Sequence, residues 1–351
     1  MNEILVYGVS ALLICFTVLT FLLNRLPTDI FPEDYEFKLD PFWYVFAVMF
    51  LGGTAVYFLF PTVPDMVHAY KYTDILIAFG FAVLIYFTYL LDVGLITNLV
   101  TFGAALAISY MQPDDFRLFA NHLTPWQEKL AIAAIIFVIS RGMGLLNGLG
   151  AIASMQFCAV MVSIVILAHF GALPHLMGAL ALAYLGTMIA FTFFSWPPEK
   201  IVMSHGAFSS FGFIMACFML NGAAEFSDAS MLIACSYLIT EIAVALYNRF
   251  LCHDVQPELF MCTSYYKTSE NGKYEAGVAR GVLKILVIDI VLAMVQIAAS
   301  ERLALPIFAF ALNLWFLSIL SGDTNPNEMF SLTRLGKSAI KRVISKKKSK
   351  K

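Results

Sequence analysis

Residues Ser195 to Phe213 read SWPPEKIVMSHGAFSSFGF and separate two long apolar runs. Pro197 and Pro198 must end the helix before them, because proline lacks an amide hydrogen and disfavours the helical conformation in the residue that precedes it. Ser204, His205 and Gly206 are small or polar and stand where the next apolar run begins, so a second helix is expected to start there. A helix start presents N–H groups and the positive end of the helix dipole, a combination that suits a phosphate. The stretch therefore reads as a short connection at one membrane face. Lys200, Ser204 and His205 are its candidate anion-binding groups.

The rest of the chain fits that reading. Hydrophobic residues make up 60% of 351 and charged residues only 13%, against about 25% charged in soluble domains. Apolar runs long enough to cross a hydrocarbon core of about 30 Å recur throughout. The expected class is an all-α, polytopic helical membrane protein, and a soluble fold is excluded. About eleven transmembrane helices are expected, over residues 4–23, 42–60, 73–91, 94–110, 128–146, 150–169, 173–194, 205–222, 229–248, 282–300 and 303–321. Punctuation supports the boundaries: Pro27 follows the first run, Pro61 the second and Pro113 the fourth, while Gly171 and Pro174 separate the sixth from the seventh. The first run lacks a basic leader and a small-residue cleavage site, so it is expected to be retained. Four of the six cysteines lie inside apolar runs and read as small core residues, not as a disulfide framework. Cys252, His253 and Cys262 fit no common zinc spacing.

Charge sets the orientation, because cytoplasmic loops are enriched in lysine and arginine. With the N-terminus outside, eighteen of the 22 basic residues fall on the inner side, and only Lys71, Arg117, Lys129 and Arg302 fall outside. The C-terminus is then cytoplasmic, as are the connections at 24–41, around 92, 141–150, 195–205 and 249–281. Residues 1–321 form the membrane domain. Residues 322–351 form a basic tail with Leu332, Leu335, Ala339, Ile340 and Val343 on one helical stripe, opposed by Arg334, Lys337, Lys341 and Arg342. Such a helix lies on anionic lipids; a plain solubilising tail is the other reading. No nucleic-acid partner is expected.

The stretch that opens this section resembles the signature loop of the polyprenyl-phosphate N-acetylhexosamine-1-phosphate transferases, glycosyltransferase family 4. These include the phospho-N-acetylmuramoyl-pentapeptide and undecaprenyl-phosphate GlcNAc-1-phosphate transferases of the bacterial inner membrane. That family reads roughly N-[FW]-x-P-A-K-[IV]-F-M-G-D-x-G-S, followed by apolar residues and Gly-Phe. The chain keeps Trp196, Pro198, Lys200, Ile201, Met203, Gly212 and Phe213, and has Ser204-His205 where the family has Gly-Asp. Gly52-Gly53 and Leu182 to Gly186 resemble further family features. The resemblance implies five cytoplasmic connections that carry the chemistry, in the same number and order as those read from charge and length.

What the resemblance implies about the site is mixed. Moving a sugar-1-phosphate onto a lipid phosphate gathers negative charge, so Mg²⁺ on oxygen ligands and positive charge near the phosphates are needed. The family's paired aspartates at the end of the third span correspond to the stretch Tyr89 to Gly94, in which Asp92 is the one carboxylate, standing for either member of the pair, and the candidate metal ligand. Asp92 also reads simply as a helix-end residue meeting water. The family's N-x-x-N-x-x-D-G-x-D-G-L-A matches Arg141 to Ala153, with Arg141 and Gly144 at the asparagines, Asn147 at the first aspartate and Gly150 at the second. Gly142, Gly144, Gly148 and Gly150 equally read as small residues for tight helix packing. His205 stands at the signature aspartate, a poor ligand for a hard cation. The family's histidine cluster is absent, since no histidine follows His253.

Asp92, Asn147 and His205 are thus the family-aligned catalytic positions, and Arg141, Lys200 and Ser204 the substrate-binding ones. Three functions are open. The chain is a transferase acting on a UDP-sugar and polyprenyl phosphate with Mg²⁺; or it is an inactive homologue that binds a lipid-linked sugar, the lipid phosphate or a partner enzyme; or it is an unrelated small-molecule transporter. Intramembrane charge would mark the last, with Glu241, Asp289 and Arg141 as candidates. A homodimer is an option in each case.

Overall fold

The computed structural model describes residues 2–23, 41–59, 73–91, 94–112, 118, 123–146, 150–171, 173–197, 200–225, 228–250, 275–299 and 304–320. Among these residues every regular element is a helix. In chain order they are α1 (Asn2–Leu23), α2 (Pro41–Leu59), α3 (Thr73–Leu90), α4 (Gly94–Met111), α5 (Pro125–Leu145), α6 (Gly150–His169), α7 (His175–Ser195), α8 (His205–Glu225), α9 (Asp228–Ala234), α10 (Ser236–Phe250), α11 (Glu275–Ala299) and α12 (Ala304–Leu320).

The helices coincide with the apolar runs, for a simple reason. In hydrocarbon each backbone N–H and C=O must be satisfied within its own segment, and a helix does this without help. Three boundaries differ from expectation. α5 begins at Pro125, three residues early, because Pro125 occupies the first helical turn and the Thr124 N–H donates to the Gln127 side chain at 3.0 Å. α11 begins at Glu275, seven residues before its apolar run, and carries the exposed Arg280 on that extension. The run expected as one span over 229–248 is divided at Cys235 into α9 and α10. Side chains insert into its ladder there. Ser236 Oγ donates to the Ile233 carbonyl at 2.7 Å, and Gln156 Nε2 donates to the Ala234 carbonyl at 3.0 Å. Such insertions bend helices.

Four helical segments are long and apolar enough to cross a membrane by length and composition: Gly94–Met111, Ala151–His169, His175–Ser195 and His205–Ala223. The surface agrees, with Leu95 72% and Ile307 67% exposed. Large apolar side chains face outward, while Ser140, Gln156, Thr187, Ser210 and Asn313 are buried. That inversion belongs to a membrane protein, whose helices associate through packing and interhelical hydrogen bonds and not through expulsion of water.

α6, α7 and α8 form the centre, and the α8 span is 94% buried against 33% for α4. α7 is covered by α1, α2 and α6, and α8 by α3 and α5. Small residues make the closest crossings. A methyl group on Gly186 of α7 would meet the Gly8 carbonyl and lie 3.1 Å from the Leu12 nitrogen, both on the α1 backbone. An aromatic layer ties the elements together, with Phe42 (α2) stacked on Tyr86 (α3) at 3.9 Å and 5.4 Å from Phe211 (α8). Gly171, at φ 74°, makes the turn between α6 and α7, where the sequence places a break.

Candidate anion site

The described ends of α3 and α5 meet the start of α8 at one end of the bundle. Phe16 of α1 lies 5.6 Å from Phe193 and 4.9 Å from Phe194 of α7, so these helices end side by side. The residues after α7 lead into α8, whose first turn receives the ends of both α3 and α5. A Cβ on Gly206 would fall on the Tyr89 ring at the end of α3. A Cβ on Gly144, at the end of α5, would lie 2.5 Å from Ser209 Oγ and 3.1 Å from the His205 backbone oxygen. These glycines are required by close approach. The same holds at Gly212, where a methyl would lie 2.6 Å from Met143 Cβ and 3.1 Å from Ser140 Cα. Ser140 Oγ seals the crossing by donating to the Ser209 carbonyl at 2.8 Å.

His205 opens α8 and is half-buried. Its Nδ1 lies 2.8 Å from the Gly144 carbonyl. A carbonyl only accepts, so Nδ1 carries the hydrogen, and in the neutral ring Nε2 is the basic nitrogen. The histidine thus fastens the last turn of α5 to the first turn of α8. Ser204 caps α8: its Oγ accepts from the Ala207 N–H at 3.2 Å, and its carbonyl accepts from the Phe208 N–H at 3.2 Å. One N–H that a phosphate was expected to use is therefore taken by Ser204. Lys200 is exposed, and its backbone N–H donates to the Phe194 carbonyl at 3.0 Å, which closes the turn after α7. Of the residues that carry the resemblance, Ile201, Met203 and Phe213 are buried and Gly212 is a crossing point, so these four are packing positions.

Arg141 sits on the last turn but one of α5 and is half-buried. Its guanidinium is within electrostatic reach of Tyr89. Its Nη1 is shielded from solvent and has no hydrogen-bond partner among the described residues. A shielded guanidinium N–H left unpaired favours an anion at this position.

Asp92 and Asn147 lie outside the described residues, as do the 251–274 connection and the basic tail. Among the described residues no group of three or more His, Cys, Asp or Glu could hold a metal ion. The described side chains here are a guanidinium, an ammonium, an imidazole and a hydroxyl. That set does not fit Mg²⁺, which takes hard oxygen ligands, commonly carboxylates, and it does fit a phosphate. Reasoning along the sequence gave no role to Tyr89, Ser140 or Ser209. No protein-family model matches the chain, and no curated protein matches it significantly.

Proposed function

We propose that this protein is a multi-pass protein of the bacterial inner membrane, built on the frame of the sugar-1-phosphate transferases, that binds a polyprenyl phosphate or lipid-linked sugar without transferring it. In this reading eleven spans cross the membrane, the N-terminus is outside, and the basic tail rests on anionic lipids of the cytoplasmic leaflet. One observation carries the reading: Arg141, half-buried with an unpartnered Nη1, at the place where α3, α5 and α8 meet. Lys200, on the loop that leads to the same helix start, adds a second positive charge. The imidazole at 205 and the amide at 147 replace the carboxylates that a Mg²⁺-dependent transfer would use. The loss of those charges favours binding over catalysis.

The test is binding of polyprenyl phosphate and of neutral polyprenol to the full chain in nanodiscs, read by native mass spectrometry. Wild-type protein should prefer the phosphate at least tenfold, and Arg141→Gln should remove most of that preference. Equal binding of the two lipids by wild-type protein refutes the reading. Release of UMP from a UDP-sugar with Mg²⁺ or Mn²⁺ also refutes it, in favour of the active transferase.

A further inference from the structure

Away from that end, three consecutive spans bring a second polar group into the middle of the bundle. Asp289 lies fourteen residues into α11 and ten from its end, about 21 Å and 15 Å along the helix axis. Asn313 lies near the middle of α12, and Ser236 begins α10 directly after the division at Cys235. All three are buried, at 1%, 0% and 0% exposed. Asn313 Nδ2 donates to Ser236 Oγ at 2.8 Å and approaches Asp289 Oδ2 at 3.1 Å and Oδ1 at 3.3 Å. Ser236 Oγ spends its own hydrogen on the Ile233 carbonyl.

The charges do not balance. No lysine, arginine or histidine is among the described partners of Asp289. Asn313 Oδ1 is buried and has no hydrogen-bond partner among the described residues. Its amide already touches both other members of the group, so this oxygen belongs to the same site. Further along the same face of α11, seven residues on, Gln296 is 2% exposed and neither of its amide atoms has a described partner. Between them, the Ala293 carbonyl accepts from Ser230 Oγ of α9 at 3.4 Å. A file of polar groups therefore runs from Asp289 toward the end of the bundle opposite Arg141.

An isolated carboxylate in the hydrocarbon region is expensive, and such residues mark ion pathways. One carboxylate with neutral amide and hydroxyl oxygens carries a single negative charge. A divalent ion would need more carboxylates, whereas one small monovalent cation balances the group. Broken spans beside such oxygens are a recurrent way to build a midplane ion site. We propose that Asp289, Asn313 and Ser236 form a binding site for one Na⁺ ion, entered past Gln296. Rotation of the Asn313 amide would turn Oδ1 toward the ion beside the carboxylate. The proposal rests on the spans and is independent of the lipid-phosphate reading.

The experiment is equilibrium binding of ²²Na⁺ to the purified full chain in detergent, with choline holding ionic strength constant. Wild-type protein should bind Na⁺ saturably, near one ion per chain. Asp289→Asn should weaken binding at least tenfold, while keeping the melting temperature that wild-type protein shows in choline. If Asp289→Asn does not fold, Ser236→Ala serves, with an expected loss of threefold or more. Absence of saturable ²²Na⁺ binding to folded wild-type protein overturns the proposal, as does wild-type affinity in either folded variant. Polyprenyl phosphate binding in Asp289→Asn should equal that of wild type, which separates failure here from failure of the lipid site.

Discussion

Gly144→Ala offers a direct test of how α5 is joined to α8. The new methyl would lie 2.5 Å from Ser209 Oγ and 3.1 Å from the His205 backbone oxygen. The first clash is with the end of a rotatable side chain and is relieved at small cost. The second is with backbone in the first turn of a helix that is 94% buried. Relief there needs the two helices to part by a few tenths of an ångström, which stretches the 2.8 Å bond from His205 Nδ1 to the Gly144 carbonyl. Overpacking of this kind costs about 1–3 kcal/mol, or roughly 5- to 150-fold in the folding equilibrium. The assay is reversible unfolding by SDS in mixed micelles, repeated in a Ser209→Ala background. Removing the Ser209 hydroxyl leaves only the backbone part, so the cost of Gly144→Ala should fall by about 0.5 kcal/mol or more, as expected for coupled neighbours. An alanine at 144 that costs nothing, or costs the same in both backgrounds, would show that the crossing is not as tight as described.

Three further outcomes follow from the packing. Gly186→Ala should destabilise by about 2 kcal/mol or more, because its methyl meets α1 backbone that cannot rotate away. Gly80→Ala, with nothing within 4 Å of the added methyl, should be neutral or slightly stabilising in the same unfolding assay. His205→Ala should cost about 1 kcal/mol through loss of the bond to the Gly144 carbonyl, and His205→Asn, which restores a short donor, should recover part of it.

Much of this architecture was legible in the chain. Apolar runs, prolines and the Gly171 break locate the helices, because hydrocarbon obliges each segment to satisfy its own backbone. Thr124-Pro125 was a readable start signal for α5, and reading apolarity alone set that start three residues late. The division at Cys235 was not legible, since it depends on Ser236 and on Gln156, 79 residues earlier in the chain, which inserts from another helix. The signature stretch of 195–213 was readable as a connection and a helix start. Its buried residues proved to be packing positions, so the resemblance they carry speaks first about shape.

Sequence alone determined that this is a helical membrane protein and where most of its helices run. These are local properties, set by hydropathy, backbone hydrogen bonding and charge within a single segment. Only the tertiary structure decided that Arg141 and Tyr89 gather beside His205 at one end. It alone decided that Asp289, Asn313 and Ser236 meet in the middle. Those groupings join residues 24 to 116 positions apart, and such contacts depend on how helices cross, which no spacing along one chain encodes.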